Sequence, residues 1–280
     1  MKTLHKKALS AAAVALLSGM ACSAAFAADT PTDPEDAGSP IAANVTVVSD
    51  YRYRGISQSN FKPAIQGGFD YAHESGFYIG NWNSSISWIS DAASAGGTGN
   101  VSAPIEMDFY AGYKKELIGE GFASDLGVLQ YYYPTSGLPS SATNPNTTEI
   151  YAAQNFTFGP VTGFVKFSYA VTNTFGYSNS SGSYYPDLTA NYDTGVWGLA
   201  VNAHVGYQKI AGQNVVAGVP TASYTDWKLG LTKDFGGGLS LAAAYIGTNA
   251  AKSGSTYAYQ SPSGKNLGGS TGIVSLTKTF

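Results

Sequence analysis

The chain has 280 residues, of which 12% are charged, whereas about 25% are charged in a typical soluble domain. It contains 34 Gly, 20 Tyr and one Cys, and its formal net charge is −3. This composition excludes an intrinsically disordered chain, a coiled coil and a disulfide scaffold, and it argues against a nucleic-acid-binding protein.

Residues 1–27 have the three parts of a secretory signal peptide. A lysine-rich start is followed by an apolar run over 8–21 and by an A-x-A cleavage site at residues 25–27, so we predict export and cleavage after Ala27. A lipoprotein anchored through Cys22 is the alternative, but Gly19 stands where such a signal needs an aliphatic residue. Cleavage removes three lysines and no acidic residue, which changes the net charge from −3 to −6.

Beyond the signal peptide, the sequence predicts a short tail and one β domain. Residues 28–40 are rich in Pro and Asp, which is typical of a disordered periplasmic tail. From Ile41 onward no apolar stretch reaches 18 residues, so no transmembrane helix is expected. The hydrophobic pattern has period two instead: in 197–208, apolar and aromatic residues alternate with small and polar ones. We therefore assign 41–280 to a β-barrel.

Twelve alternating segments are predicted as strands, each about long enough to cross a bilayer when tilted. They are 43–54, 63–72, 77–88, 104–115, 123–133, 148–158, 164–173, 183–192, 197–208, 223–233, 239–249 and 270–280. Five short connections alternate with six mostly longer ones. This order predicts an all-β, antiparallel, up-and-down transmembrane barrel with short periplasmic turns, longer extracellular loops and both termini in the periplasm.

The strands of a soluble β-sandwich or of a periplasmic lipocalin-like barrel would also alternate between apolar and polar residues, but their apolar face would point inward. Two features favour the membrane: the scarcity of charge, and aromatic residues near strand ends, as in the girdles of outer-membrane barrels. The aromatic residues in question are Tyr51, Tyr53, Trp82, Trp88, Tyr131, Tyr132, Tyr133, Tyr184, Tyr185, Trp197, Tyr207, Tyr224 and Trp227.

The carboxyl terminus supports the same location. The last alternating segment ends in Phe280, which resembles the sorting signal of bacterial outer-membrane barrels. Lys278 departs from that signal, because an aromatic residue usually stands there. Its long side chain can reach the membrane interface while its aliphatic part stays in an apolar setting.

Several stretches of the chain resemble the TorF-like putative porin family, also described as the Gcw_chp conserved hypothetical family. The most specific stretch is VVSDYRYRGISQS at 47–59. The others are PAIQGGFDY at 63–71, GFY at 76–78, YAGY at 110–113, YYYP at 131–134, TEIY at 148–151, YTDWKLG at 224–230 and SLTKTF at 275–280. The resemblance implies an outer-membrane β-barrel, but no agreed substrate and no catalytic residues.

No motif for catalysis, cofactor binding or metal binding stands out, and we expect neither an enzyme nor a cofactor. Beyond the signal peptide the two histidines are His73, in a short turn, and His204, on a lumen-facing position. A rim or lumen histidine is what a barrel hydrolase would use, so His204 is the candidate in that alternative. The simpler interpretation of His204 is a polar residue that lines the pore.

Charged residues on the polar face of the strands are predicted to line a lumen and to set its selectivity. They are Asp50, Arg52, Arg54, Asp70, Glu106, Asp108, Lys114, Glu149, Lys166, Asp187, Asp226 and Lys228, together with the polar His204. The alternative is that these side chains pair across the lumen and fill it. Arg52 and Arg54 are the only two arginines in the chain, so they are the candidates for a constriction or an anion site.

These observations predict a porin-like channel in the outer membrane of a Gram-negative bacterium, through which small hydrophilic solutes diffuse passively. Its partners would be outer-membrane lipid, the transported solutes and, during insertion, the barrel-assembly machinery; no oligomeric state is predicted. Two alternatives remain. One is a structural or interaction barrel with a plugged lumen, and the other is a barrel enzyme acting at the rim.

Overall fold

A computed structural model describes residues 40–97, 100–213 and 219–280. The predicted signal peptide 1–27, its cleavage site and Cys22, and the predicted tail up to residue 39 all lie outside the described residues. They remain predictions.

Nearly all of the described chain is β structure. In chain order the elements are β1 Ile41–Val48, β2 Arg52–Tyr53, β3 Ile56–Ser57, β4 Ala64–Ala72, β5 Phe77–Ser85, α1 Trp88–Ala95, β6 Ile105–Gly119, β7 Phe122–Tyr132, β8 Thr147–Phe158, β9 Val161–Ala170, β10 Tyr184–Asp193, β11 Leu199–Gln208, β12 Tyr224–Asp234, β13 Leu239–Thr248, β14 Lys252–Ser253, β15 Thr256–Tyr257 and β16 Thr271–Thr279. No helix among these elements is long and apolar enough to cross a membrane.

Twelve of the described strands close into one antiparallel barrel, as predicted. Each barrel strand pairs with its neighbours along the chain, and β16 pairs with β1 to close the ring. Pairs β2–β3 and β14–β15 form two small hairpins that are not part of the barrel wall. Five short connections lie at one end of the barrel, which we call the turn end. Six long connections lie at the other, which we call the loop end.

The apolar face of the strands points outward, which confirms the central expectation for a barrel in lipid. On β11, Val205 is 45% exposed and Ala203 is exposed, whereas the alternate residues Asn202 and Gln208 are almost fully buried. A soluble barrel would place its apolar residues inside. The observed direction therefore excludes the lipocalin-like alternative for these strands.

Aromatic residues do lie on the outer face near both ends of the barrel. At the loop end they include Tyr132, Tyr169, Tyr207, Trp227 and Tyr245, and at the turn end Phe77, Phe158, Tyr192, Trp197 and Phe235. However, the prediction was wrong for several girdle members, which are buried or half-buried inside the barrel or among its loops: Tyr51, Tyr53, Trp82, Trp88, Tyr131, Tyr133, Tyr185 and Tyr224. Consecutive strand residues point to opposite faces, so Tyr131 and Tyr132 cannot share one girdle.

The last strand ends at the turn end with Phe280 exposed on the outside. The Lys278 ammonium group donates a hydrogen bond to the carbonyl of Gly237 in the neighbouring turn, and it lies 5.4 Å from the centre of the Phe280 ring. Lys278 thus reaches away from the apolar band toward the edge of the barrel. The sorting role of Phe280 stays a prediction.

A charge placed in the middle of the outer face tests the orientation of the wall. Leu229 lies near the centre of β12 and is exposed. We expect Leu229→Arg to destabilise the folded barrel by about 2–4 kcal/mol, because the guanidinium would face the hydrocarbon core. The measurement is the urea dependence of folding into phospholipid vesicles, with Leu229→Ala as the control without charge. Equal stability of the two variants would contradict this placement.

Candidate functional site

The segment 49–63 leaves the wall and folds into the barrel. Strand β1 ends at Val48, so the prediction of one continuous strand over 43–54 was wrong at its carboxyl end. Asp50, Arg52 and Arg54 consequently do not line a face of strand 1. They belong to an inward-folded loop that carries the β2–β3 hairpin, which we call the lumen hairpin (residues 50–59).

The turn of the lumen hairpin explains its local fold. Arg54 and Gly55 are its two central residues, with φ of 45° and 78°, and positive φ at both positions is what a two-residue type I′ turn requires. A Cβ atom on Gly55 would lie 2.4 Å from Cγ2 of Thr248 and 2.9 Å from Cβ of Asp226. The turn therefore packs directly against the wall formed by β12 and β13.

Asp50 and Arg52 hold the base of the hairpin. Arg52 Nε donates to Asp50 at 2.6 Å, and the Ser57 hydroxyl donates to the second carboxylate oxygen at 2.6 Å. Arg52 also donates to the carbonyls of Leu267 and Gly269, at 2.8 and 3.1 Å, in the loop between β15 and β16. Arg52 is thus a structural link between two loops rather than a group that faces the lumen.

Arg54 extends from the turn across the barrel interior. Its guanidinium forms two hydrogen bonds with the Glu149 carboxylate on β8, at 3.0 and 2.7 Å, and a third with Gln208 on β11. The same group lies 4.0 Å from the ring centre of Tyr185 and 4.8 Å from that of Tyr53. Burial opposes its charge, but the neighbouring Glu149 carboxylate raises the pKa of Arg54 well above its ordinary value.

His204 is the centre of a second polar network, on β10, β11 and β12. Its Nδ1 lies 3.1 Å from Asp187 and its Nε2 lies 2.8 Å from Asp226. Tyr185 donates to Asp226 at 2.8 Å and also contacts His204, so its phenol connects this network to Arg54. Because both ring nitrogens face carboxylates, His204 resembles a charged member of an ion-pair network more than a general base that faces a nucleophile.

A third network runs along the inner wall from β5 to β8, nearer the turn end. The Tyr78 hydroxyl on β5 donates to Asp125 on β7 at 2.7 Å and contacts the Tyr151 hydroxyl on β8. The Lys166 ammonium lies 4.3 Å from the ring centre of Tyr151. Asp125 and these tyrosines were missed at the sequence level.

Glycines opposite these tyrosines are the signal that could have found them. A Cβ atom on Gly112 would lie 2.3 Å from the Tyr78 hydroxyl, and one on Gly127 would lie 2.5 Å from the Tyr151 ring. Each glycine is the direct cross-strand partner of its tyrosine. An inward glycine opposite an inward tyrosine therefore predicts that the ring lies flat over the neighbouring strand.

Two buried carboxylates stand on the inner face of β6. Glu106 accepts a hydrogen bond from the Tyr51 hydroxyl at 3.1 Å through one oxygen. Its second oxygen and both oxygens of Asp108 are buried with no hydrogen-bond partner among the described residues. The chain places these two acidic side chains two residues apart on one face, beside the lumen hairpin.

The remaining predicted lumen residues lie on inward positions of the wall. Asp70 accepts a hydrogen bond from Tyr110 at 2.5 Å, and Lys114 donates to Asn155 at 3.4 Å. Lys228 is the cross-strand partner of His204 and shares its face. Across 40–97, 100–213 and 219–280, no group of three or more His, Asp or Glu side chains could hold a metal ion. The described interior contains ion pairs, phenols and amides that are bonded to one another.

Comparison with solved structures shows the fold. The KdgM porin is 7% identical, with a TM-score of 0.50, over 85% of this chain and 99% of that chain. The NanC porin is 9% identical, with a TM-score of 0.52, over 86% of this chain and 98% of that chain. Outer membrane phospholipase A from Escherichia coli is 13% identical over 85% of this chain and 94% of that chain, but its TM-score of 0.45 supports no argument about an enzyme.

At the sequence level, none of the curated proteins matches the chain. A family model does match, over residues 33–280, and it is described as a bacterial protein of unknown function, Gcw_chp. The TorF-like designation is finer than this match and remains a prediction. Because the match covers the whole described barrel, the chain belongs to the Gcw_chp family.

Proposed function

We propose that the protein is an outer-membrane channel for the passive diffusion of small hydrophilic solutes, narrowed by its lumen hairpin. The observation that carries the proposal is the inward-folded segment 49–63, whose Arg54 reaches Glu149 and Gln208 on two separate parts of the wall. The number of strands sets the diameter of the barrel. A loop that enters the barrel occupies part of that cross-section, so the passage beside it is narrower. The likeness to porin folds supports the same class of protein.

In this proposal the apolar outer face contacts outer-membrane lipid. The loop end faces the outside, and the turn end faces the periplasm with both termini. Export by the signal peptide and insertion by the barrel-assembly machinery belong to the same proposal. The outward direction of Leu229, Val205 and similar residues supports it.

The excess of acidic side chains inside the barrel favours the passage of cations over that of anions. Among the described residues of the wall and the lumen hairpin, eight acidic side chains lie inside the barrel, against five Lys and Arg and one His, and the Asp50–Arg52 pair within this set is neutral. They are Asp50, Asp70, Glu106, Asp108, Asp125, Glu149, Asp187 and Asp226, against Arg52, Arg54, Lys114, Lys166 and Lys228, with His204. Because rings of charge set pore selectivity, we expect modest preference for cations.

A non-conducting barrel is the second candidate, and one specific observation favours it. The lumen hairpin bridges to the wall through Arg54 and Tyr53, and tyrosine rings such as that of Tyr78 cover the inner wall nearer the turn end. Such bridges fill space that a wide channel would leave to water. In this case the long loops would carry the function by binding partners outside the cell.

Planar-bilayer recording of the purified, folded barrel separates the two candidates. Discrete conductance steps with a reversal potential that favours K⁺ over Cl⁻ are expected for the channel. A silent bilayer would contradict the channel and support the plugged barrel, provided that the same sample shows the gel shift of a folded barrel before boiling. Anion preference would contradict the assignment of selectivity to the acidic wall.

A further inference from the structure

A cavity of about 290 Å³ lies at the mouth of the loop end, above the lumen hairpin. Described residues from all six long connections, together with the loop-end termini of β11 and β12, contribute to its lining. Tyr53, Ile56, Ser57 and Gln58 of the lumen hairpin line one part of it, and helix α1 lines another. We call this cavity the mouth pocket. A solute that enters the barrel from the loop end would meet it before the hairpin.

The lining of the mouth pocket is unusually aromatic. Seven of its eighteen described lining residues are Tyr, Trp or Phe, among them Tyr53, Trp88, Tyr133, Phe175, Tyr224 and Tyr259. Trp88 packs edge-on against Tyr133, and Tyr224 against Tyr259, with centroid distances of 5.4 and 5.2 Å. These contacts hold the rings in fixed positions around the cavity.

Most hydrogen-bonding groups of the lining are already used within the protein. The Tyr259 hydroxyl donates to the Ala222 carbonyl at 2.7 Å, and the Tyr53 hydroxyl donates to Tyr131 at 2.7 Å. The Gln58 amide donates to the Ile56 carbonyl, and the Gln208 amide donates to Tyr184 and Lys209. A polyhydroxylated sugar needs many free polar groups, so the pocket does not suit it.

Charge distinguishes among the remaining ligand classes. Asp91, on helix α1, is the one formally charged residue among the described lining residues, and it is acidic. An anionic ligand would therefore find no basic partner there. A cation would find a carboxylate and several ring faces, and ring faces attract ammonium groups. The Tyr53 ring is already occupied, because the Arg54 guanidinium lies against it and against Tyr185, so the other six aromatic lining residues are the ones open to a ligand.

We propose that the mouth pocket binds small organic cations of the alkylammonium class, with the rings around the ammonium and Asp91 as its counter-charge. That these cations are solutes of the channel rests on the proposed function. Binding itself, however, requires no conduction. The two can therefore fail separately, because binding is measured on the isolated barrel and conduction in a bilayer.

Isothermal titration of the complete mature barrel, folded in a nonionic polyoxyethylene detergent, tests the proposal. The probe is choline, and the comparison probe is its neutral isostere in which carbon replaces the ammonium nitrogen. We expect choline to bind at least about tenfold more tightly than the isostere, because only the charged probe gains the cation–π and carboxylate interactions. Equal affinity for the two probes, or no binding of choline, would overturn the proposal.

Two variants and two matched controls locate the site. Asp91→Asn removes the counter-charge and Tyr259→Leu removes one ring, and each is expected to weaken choline binding about five- to tenfold. Asp193→Asn, at the turn end of β10, and Tyr245→Leu, on the outer face, should leave it unchanged. If both controls weaken binding as much as the two pocket variants, choline binds elsewhere and the proposal fails.

Folding of each variant is checked by its gel shift before boiling, so that a loss of binding is not confused with a loss of structure. A second readout is the fluorescence of Trp88, which lines the pocket. Choline should change it in the wild-type barrel, and Trp88→Leu should abolish that change. If the change persists in Trp88→Leu, it comes from another tryptophan, and the site is not the mouth pocket.

Discussion

Replacing Arg54 with alanine is expected to raise the single-channel conductance and to shift the reversal potential further toward cations. The guanidinium links the lumen hairpin to Glu149 and Gln208. Without it the hairpin loses its contacts with β8 and β11, and one positive charge leaves the narrow part of the lumen. Recording in planar bilayers under a KCl gradient measures both effects. Lys62→Ala is the matched control, because Lys62 is an exposed cation in the same loop.

The same substitution should also lower stability. Arg54→Ala leaves the buried Glu149 carboxylate without its cation, and breaking a buried ion pair in this way typically costs about 3–5 kcal/mol. A double variant, Arg54→Met with Glu149→Gln, removes both charges and should recover most of that loss. If the double variant is stable and still conducts more than the wild type, the hairpin contact itself narrows the channel. Unchanged conductance and reversal potential in Arg54→Ala would contradict the constriction.

The barrel wall could be predicted from the sequence because lipid imposes the same requirement on each strand. Outward residues such as Val205 and Leu229 must be apolar, and inward residues such as Asn202 face a polar interior. That contrast repeats with period two, so its beginning and end mark the strand to within a few residues. The alternation of connection length then follows from an even number of strands.

The lumen hairpin could not be predicted in the same way. The residues 51–54, Tyr-Arg-Tyr-Arg, continue the alternation of β1, so the local pattern is that of a strand. What turns the chain inward is the Asp50 carboxylate with Arg52 and Ser57, and the contact of Arg52 with carbonyls more than 200 residues away. Interactions between distant parts of the chain leave no periodic signal.

For the candidate site, the sequence therefore identified many of the residues but not the contacts between them. The acids and bases of the wall, such as Asp187, His204 and Asp226, were identified because charge is rare in this chain and each lies on an inward position. Their partners were missed, because a tyrosine fits a girdle and a lumen equally well. Tyr185 shows the difference: it was assigned to a girdle, and it joins His204 to Arg54 inside.

Asp108→Asn is expected to stabilise the barrel, which is the opposite of the usual effect of substituting a buried polar residue. Asp108 is fully buried, its two carboxylate oxygens have no hydrogen-bond partner among the described residues, and Glu106 stands on the same face. A buried carboxyl group without a hydrogen-bond partner, next to another acid, is costly. A neutral amide of the same shape removes that cost and adds a donor, so we expect a gain of about 1–3 kcal/mol.

The gain is measured as a shift of the urea unfolding midpoint of the barrel in vesicles, with the exposed Glu120→Gln as the matched carboxylate-to-amide control. A smaller effect of the same sign is expected for Glu106→Gln, because Glu106 already accepts one hydrogen bond from Tyr51. Since the acid pair also contributes to the proposed cation preference, Asp108→Asn should lower that preference while it raises stability. A loss of stability would instead mean that a cation or a proton held between the two carboxyl groups supports the fold, and the account of an unpartnered carboxyl group would be wrong.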